Sequence, residues 1–138
     1  MRHWQFIALA LNLAHAKDVC ELATTIRPGA GPVTVHADGL LQVGVVLVLT
    51  TSTKEGPRCG VWVEGRNPPP EVDKAFVENI PEKGLNTRFV VSVVGKLYRA
   101  DKFSRESAPP YLGNGFGRYG TYEYRLVVTK WIRVRHIP

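Results

Sequence analysis

Two stretches near the end of the chain alternate apolar and polar residues with period two, and they restrict the possible folds more than any other feature. Thr87–Tyr98 reads Thr-Arg-Phe-Val-Val-Ser-Val-Val-Gly-Lys-Leu-Tyr, and Tyr122–Val134 reads Tyr-Glu-Tyr-Arg-Leu-Val-Val-Thr-Lys-Trp-Ile-Arg-Val. In the first, Phe89, Val91, Val93 and Leu97 share a face. In the second, Tyr122, Tyr124, Leu126, Val128, Ile132 and Val134 do so, with Lys130 the one break. Successive side chains of a strand point to opposite faces, so alternation sustained this long describes two half-buried β-strands. Between them lies Gly113–Gly120, rich in glycine and aromatic residues.

The preceding chain supplies shorter elements. Asp18–Ile26 places Val19, Leu22, Ala23 and Ile26 at helical spacing, and the Pro/Gly-rich Arg27–Pro32 ends that helix. Val33–Gly39 alternates, which turns Val33, Val35 and Ala37 inward and Thr34, His36 and Asp38 outward. Val43–Thr51 is almost wholly apolar, as a strand covered on both faces would be. Thr53–Pro57 reads as a turn and Cys59–Glu64 as a short third strand. Pro70 closes a stiff connector and opens a helix over Glu71–Ile80, since the first helical position tolerates a missing N–H. Glu71 and Asp73 suit the helix dipole there, Val72, Ala75, Phe76 and Ile80 form its apolar face, and Pro81 and Gly84 end it. A long loop, Arg99–Thr121, joins strands four and five. Three strands, a helix and two long strands is the connectivity of an OB-fold. The expected class is therefore mainly β: a five-stranded OB-fold-like barrel with a short N-terminal helix and one helix between strands three and four. A β-sandwich calls for more and shorter strands at regular spacing.

At 138 residues the chain fits one domain. Its first sixteen residues read as an export signal, with Arg2 as the basic start, Phe6–Ala14 as the apolar run and Ala14-His-Ala16 as the cleavage site. That run is too short to span a bilayer as a helix. The alternative is an amphipathic first helix of the folded body. Cleavage before Lys17 leaves a domain of residues 17–138, placed in the periplasm or outside the cell. The whole chain has 18 basic and 12 acidic residues, a net charge of +6, and losing Arg2 makes it 17 − 12 = +5. This balance favours acidic partners without specifying one.

Cys20 and Cys59 are the two cysteines. In an oxidising compartment they point to one disulfide, which would stabilise the fold by about 3–4 kcal/mol through chain entropy. The alternative is a pair of unlinked buried thiols. Neither a metal site nor a cofactor is expected, because two lone cysteines without CxxC spacing make a poor zinc site.

Val19-Cys-Glu-Leu22, Val33-Thr-Val35, Cys59-Gly-Val-Trp-Val63 and Gly115-Phe-Gly-Arg-Tyr-Gly120 ahead of Tyr124-Arg-Leu-Val-Val128 carry a resemblance. Together they are similar to small exported bacterial proteins with an OB-fold-like domain, a group whose function is uncharacterised. The resemblance implies a disulfide between the leading helix and strand three, and no catalytic residue. Arg118 stands where it leads one to expect a histidine.

Candidate chemistry is sparse. The glycines of 113–120 are followed by a strand, whereas a dinucleotide cradle needs a helix there. His36 and Asp38 share a strand face, with no nucleophile placed beside them by sequence spacing. Glu55, Glu64, Glu71, Asp73 and Glu78 lie in turns or on a helix, with no sign of desolvation. A basic-aromatic set on and after the loop stands out: Lys102, Arg105, Tyr111, Phe116, Arg118, Tyr119 and Trp131 are the candidate binding residues. Arg125, Trp131, Arg133 and Arg135 share the odd-numbered face of strand five. In OB-folds this region takes oligonucleotides or oligosaccharides, through stacking and phosphate contacts. The competing reading is that the aromatics close the barrel end above a solvated charged rim. The expected function is a non-enzymatic exported module binding an unidentified ligand or an envelope protein, with no membrane span. Single-stranded nucleic acid is the alternative, made less favourable by export. Intact mass of the exported form should begin at Lys17, and a non-reduced digest should contain the Cys20 and Cys59 peptides joined. A chain retaining Met1 would overturn the export reading.

Overall fold

The computed structural model describes residues 16–44, 46–78, 87–104 and 113–138. The export signal apart from Ala16, the helix end at Ile80–Gly84, and the candidates Arg105 and Tyr111 lie outside the described residues. In chain order the elements are β1 (Lys17–Asp18), α1 (Val19–Thr24), β2 (Val33–Val43), β3 (Leu47–Thr50), β4 (Val61–Gly65), α2 (Pro70–Glu78), β5 (Thr87–Arg99) and β6 (Tyr124–Ile137).

The molecule is mainly β, with one six-stranded sheet in which five strands form a ring of pairings. β2 runs antiparallel to β3, and β3 antiparallel to β4. β4 lies parallel to β6, β6 antiparallel to β5, and β5 antiparallel to β2, which closes the ring. β1 adds a short parallel pairing outside it, Lys17 opposite Ala37.

The period-two pattern explains the interior. β2 turns Val35, Ala37, Leu41 and Val43 inward, and β5 turns Phe89, Val91, Val93 and Leu97 inward. Tyr124, Leu126 and Val128 of β6 join them, with Val19 and Ala23 of α1 and Val72 of α2 in the same cluster. Val33, expected to face in, is 39% exposed at the start of β2.

The first strand boundary differs from expectation. The strand beginning at Val33 does not stop at Gly39 but continues to Val43, and the turn falls at Gly44, whose N–H donates to the Val46 carbonyl at 3.0 Å. Gly39 is there for close approach: a Cβ on it would lie 2.8 Å from Leu49 Cδ1 and from the Thr50 carbonyl oxygen. Glycine inside a strand marks such a packing point as readily as it marks a turn.

The face assignment of the last strand also changes. Pairing with β5 skips Thr129 and Ile132, so Val93 faces Trp131 and Val91 faces Val134. Each extra residue is a bulge, which shifts the alternation by one. Ile132, expected inside, is consequently 46% exposed. Trp131, on the odd-numbered face with Arg125, Arg133 and Arg135, packs partly buried against the core, which fits the reading that it covers the barrel wall. The strand also runs on to Ile137, and His136 sits 5.4 Å from the Phe89 ring instead of in a frayed end.

The N-terminal segment is fixed by polar contacts and a covalent link. The Asp18 carboxylate caps α1 by accepting from the Cys20 N–H at 3.0 Å. It also accepts from Thr51 Oγ1 at 3.1 Å and from the Ser52 N–H at 3.0 Å. Cys20 and Cys59 form a disulfide with Cα atoms 5.4 Å apart, tying α1 to the residues just before β4. Arg99 holds the exit of α1 by donating to the Ile26 carbonyl at 2.7 Å and to Glu123 at 2.8 Å.

Gly95 tests the close packing of the ring, because a Cβ there would lie 2.6 Å from the Val127 carbonyl oxygen. Gly95→Ala should therefore cost about 1–3 kcal/mol through overpacking. Gly60→Ala, whose Cβ would meet only the Tyr122 ring at 3.5 Å, should stay within about 1 kcal/mol. Equal denaturation midpoints for the two variants would contradict the packing account.

Candidate functional site

The chain leaving β5 returns to the ring through a small hairpin arm, residues 113–122. Phe116 and Tyr122 form an antiparallel bridge, with N–H to O distances of 2.7 and 3.2 Å. The Gly113 N–H donates to the Tyr119 carbonyl at 2.8 Å, and the Gly115 N–H to Gly120 at 2.8 Å. Asn114 pins the base by donating to the Lys102 carbonyl at 2.8 Å and accepting from the Ser104 N–H at 2.6 Å. Gly117 has φ +86°, and a Cβ on it would lie 2.8 Å from the Trp62 ring. A residue with a side chain there would be strained and would push the arm off β4.

The arm rests on an aromatic layer. Phe116 is 6.5 Å from Tyr98 of β5, and Tyr122 is 5.6 Å from Trp62 of β4. The competing sequence reading, aromatics packed beneath the loop, thus describes Phe116, which is half-buried. Arg118 and Tyr119 are different. Both are exposed at the arm tip, Tyr119 to 55%, with the guanidinium 5.4 Å over the phenol ring. Lys102 is exposed at the arm base in a left-handed conformation, φ 48°. Among the described candidates, the fold brings Phe116, Arg118 and Tyr119 together, with Lys102 at the base. Trp131 stands apart, beyond Tyr98 and Arg125.

Arg125 organises the surface beside the arm. Its guanidinium lies 5.1 Å over the Tyr98 ring and 2.7 Å from Glu64 Oε2. Trp62 Nε1 donates to the other Glu64 oxygen at 3.2 Å. Hydrogen bonding from Arg125 holds the Glu64 carboxyl below its ordinary range, and the same bond raises the guanidinium. Burial raises the Tyr124 phenol. Local spacing carries no sign of the Glu64–Arg125 pair: the two residues are 61 positions apart, and the parallel β4–β6 register, with Trp62 opposite Arg125, brings them together.

One further pair was invisible to spacing. His36 Nε2 lies 2.9 Å from Ser92 Oγ, joining neighbouring strands of the ring. Ser92 lies 56 positions from His36, so sequence spacing could not place its hydroxyl there. The pair has the separation of a nucleophile and its base, yet His36 Nδ1 is buried without an acceptor among the described residues. Among the described residues, no third group orients the imidazole. Among the described residues, no cluster of three His, Cys, Asp or Glu could hold a metal ion, and no helix is long and apolar enough to cross a membrane.

The lowered Glu64 carboxyl gives a sign to the pH dependence. Its pair with Arg125 contributes fully above the ordinary carboxylate range, and that contribution is lost as pH falls through the lowered value. Both side chains are substantially exposed, so Glu64→Gln should cost under about 1 kcal/mol at neutral pH. The gap between variant and wild type should therefore narrow only once pH falls beneath the ordinary carboxylate range. An undiminished gap in acid urea titrations would exclude the pair as its source.

Compared with family models, curated proteins and solved structures, the chain finds no match.

Proposed function

We propose that this chain is an exported, non-enzymatic binding module on an OB-fold-like barrel, meeting its ligand or an envelope protein through the tip of the arm. The ring order β2–β3–β4–β6–β5, with α2 between β4 and β5, supports the barrel reading, since that is the OB-fold connectivity. The disulfide supports an oxidising compartment. The incomplete set around His36 speaks for binding over hydrolysis.

The observation that carries the contact surface is the exposure of Arg118 and Tyr119 on a backbone braced from beneath. A cross-braced turn holds its tip side chains in place without further ordering cost, and Tyr and Arg are the residue types that dominate binding hot spots. Arg118→Ala with Tyr119→Ala should reduce partner recovery from envelope extract several-fold while the melting curve stays in place. Undiminished recovery would remove this surface from consideration.

A second reading is single-stranded nucleic acid. It is favoured by the outward row of Lys130, Arg133 and Arg135 on β6, opposite Val94, Ser92 and Val90 of β5. Anisotropy of a labelled oligonucleotide separates the two readings. Binding that falls steeply with salt supports nucleic acid, and absence of binding at low salt eliminates it.

A further inference from the structure

Beyond the arm, the outward faces of β5 and β6 and the connector after β4 enclose an open cleft of about 840 Å³. Its volume falls within the range of small-ligand sites. Arg66 stands on the connector side, Lys96 on β5 and Lys130 on β6, and Tyr98 and Trp131 complete the walls. Among the described residues, no aspartate or glutamate lines it.

The charges in this cleft are unevenly answered. Arg125, also at its wall, is already paired with Glu64 at 2.7 Å. Arg66, Lys96 and Lys130 are exposed, and their side chains form no ion pair or hydrogen bond with a described residue. Cations gathered around one concavity repel one another and focus a positive potential into it. A second observation is independent of charge. Trp131 Nε1 is buried with no acceptor among the described residues, and the indole lies against Gly65, where a Cβ would be 3.0 Å from its ring. A buried donor without an acceptor is costly, and natural structures rarely keep one without a reason.

We infer that this cleft is a binding site for a small polyvalent oxyanion bearing phosphate or carboxylate groups, held by Arg66, Lys96 and Lys130. Charge-assisted hydrogen bonds to such oxygens are short and strong, and the anion relieves the mutual repulsion of the three cations. The Trp131 indole forms part of the same wall, so its N–H senses a change there. A compact anion fits better than a stacked base, because the Tyr98 ring is already covered by the Arg125 guanidinium at 5.1 Å. The site goes beyond the arm surface and does not depend on it.

Isothermal titration of the purified protein with inorganic pyrophosphate and with citrate tests the site, in chloride buffer at low and physiological ionic strength. Saturable binding near one per chain is expected for at least one probe. Pyrophosphate alone would identify a phosphate ligand, citrate alone a carboxylate ligand, and both a general oxyanion site. Arg66→Ala with Lys96→Ala and Lys130→Ala should weaken binding by at least about tenfold, the loss expected for charged hydrogen bonds. Arg88→Ala on the exposed face of β5, with Arg133→Ala and Arg135→Ala of the outward row, removes the same charge and should leave binding nearly unchanged. Should the cleft variant fail to fold, the wild-type indole N–H resonances decide: that of Trp131 should move on adding the probe, and more than that of Trp62. No saturable binding at low salt, an equal loss in the outward-row variant, or a stationary Trp131 resonance would each overturn the inference. Arg118→Ala with Tyr119→Ala should bind the anion normally, so failure of the arm surface and failure of the cleft are read separately.

Discussion

β5 is hydrogen-bonded along both edges, and the closed arrangement of strands depends on it. One edge pairs with β2 from Val33 to Val43, and the other with β6 from Tyr124 to Ile137. A strand paired on both sides exposes no free backbone ladder and can bury one full face. Phe89, Val91, Val93 and Leu97 form that face, and the apolar residues of the other ring strands close over them. Gly95 and Gly39 sit on β5 and β2 where neighbouring strands come too near for a Cβ. The ring is tight because these two positions are empty.

Closure of the ring also places the surface chemistry. The parallel β4–β6 pairing sets Glu64 beside Arg125, and the antiparallel β5–β6 pairing sets Tyr98 opposite the same arginine. The arm returns across Trp62 and Tyr98, which leaves Arg118 and Tyr119 outermost. The Thr129 and Ile132 bulges turn Trp131 toward Gly65 and leave Lys130 on the cleft rim. Basic residues that look like one row in sequence are thus divided among an ion pair, a cleft and an outward stripe.

α1 is held by several weak contacts and one covalent bond. Asp18 reaches the Thr51–Ser52 turn, Arg99 reaches Ile26, and Cys20 is bonded to Cys59. A six-residue helix is too short to be stable alone. Burial of Val19 and Ala23, helped by these links, is what makes it helical.

Period two over Thr87–Tyr98, the proline opening α2 and the apolar spacing of α1 were readable in the residues because each depends on local geometry. The order of elements and the inward residues of β5 follow from that alone. The end of β2 did not, since Gly39 signals a turn and a close approach equally well until Leu49 is seen beside it. Nor did the inward face of β6 beyond Val128, because a bulge changes parity without changing composition. The His36–Ser92 contact, the Glu64–Arg125 pair and the cleft between Arg66, Lys96 and Lys130 join residues far apart in the chain. Local preferences act over a few residues and so are written into the sequence. Strand register across long separations is settled only when every strand packs against the same interior, and the side chains that meet on the surface follow from that register.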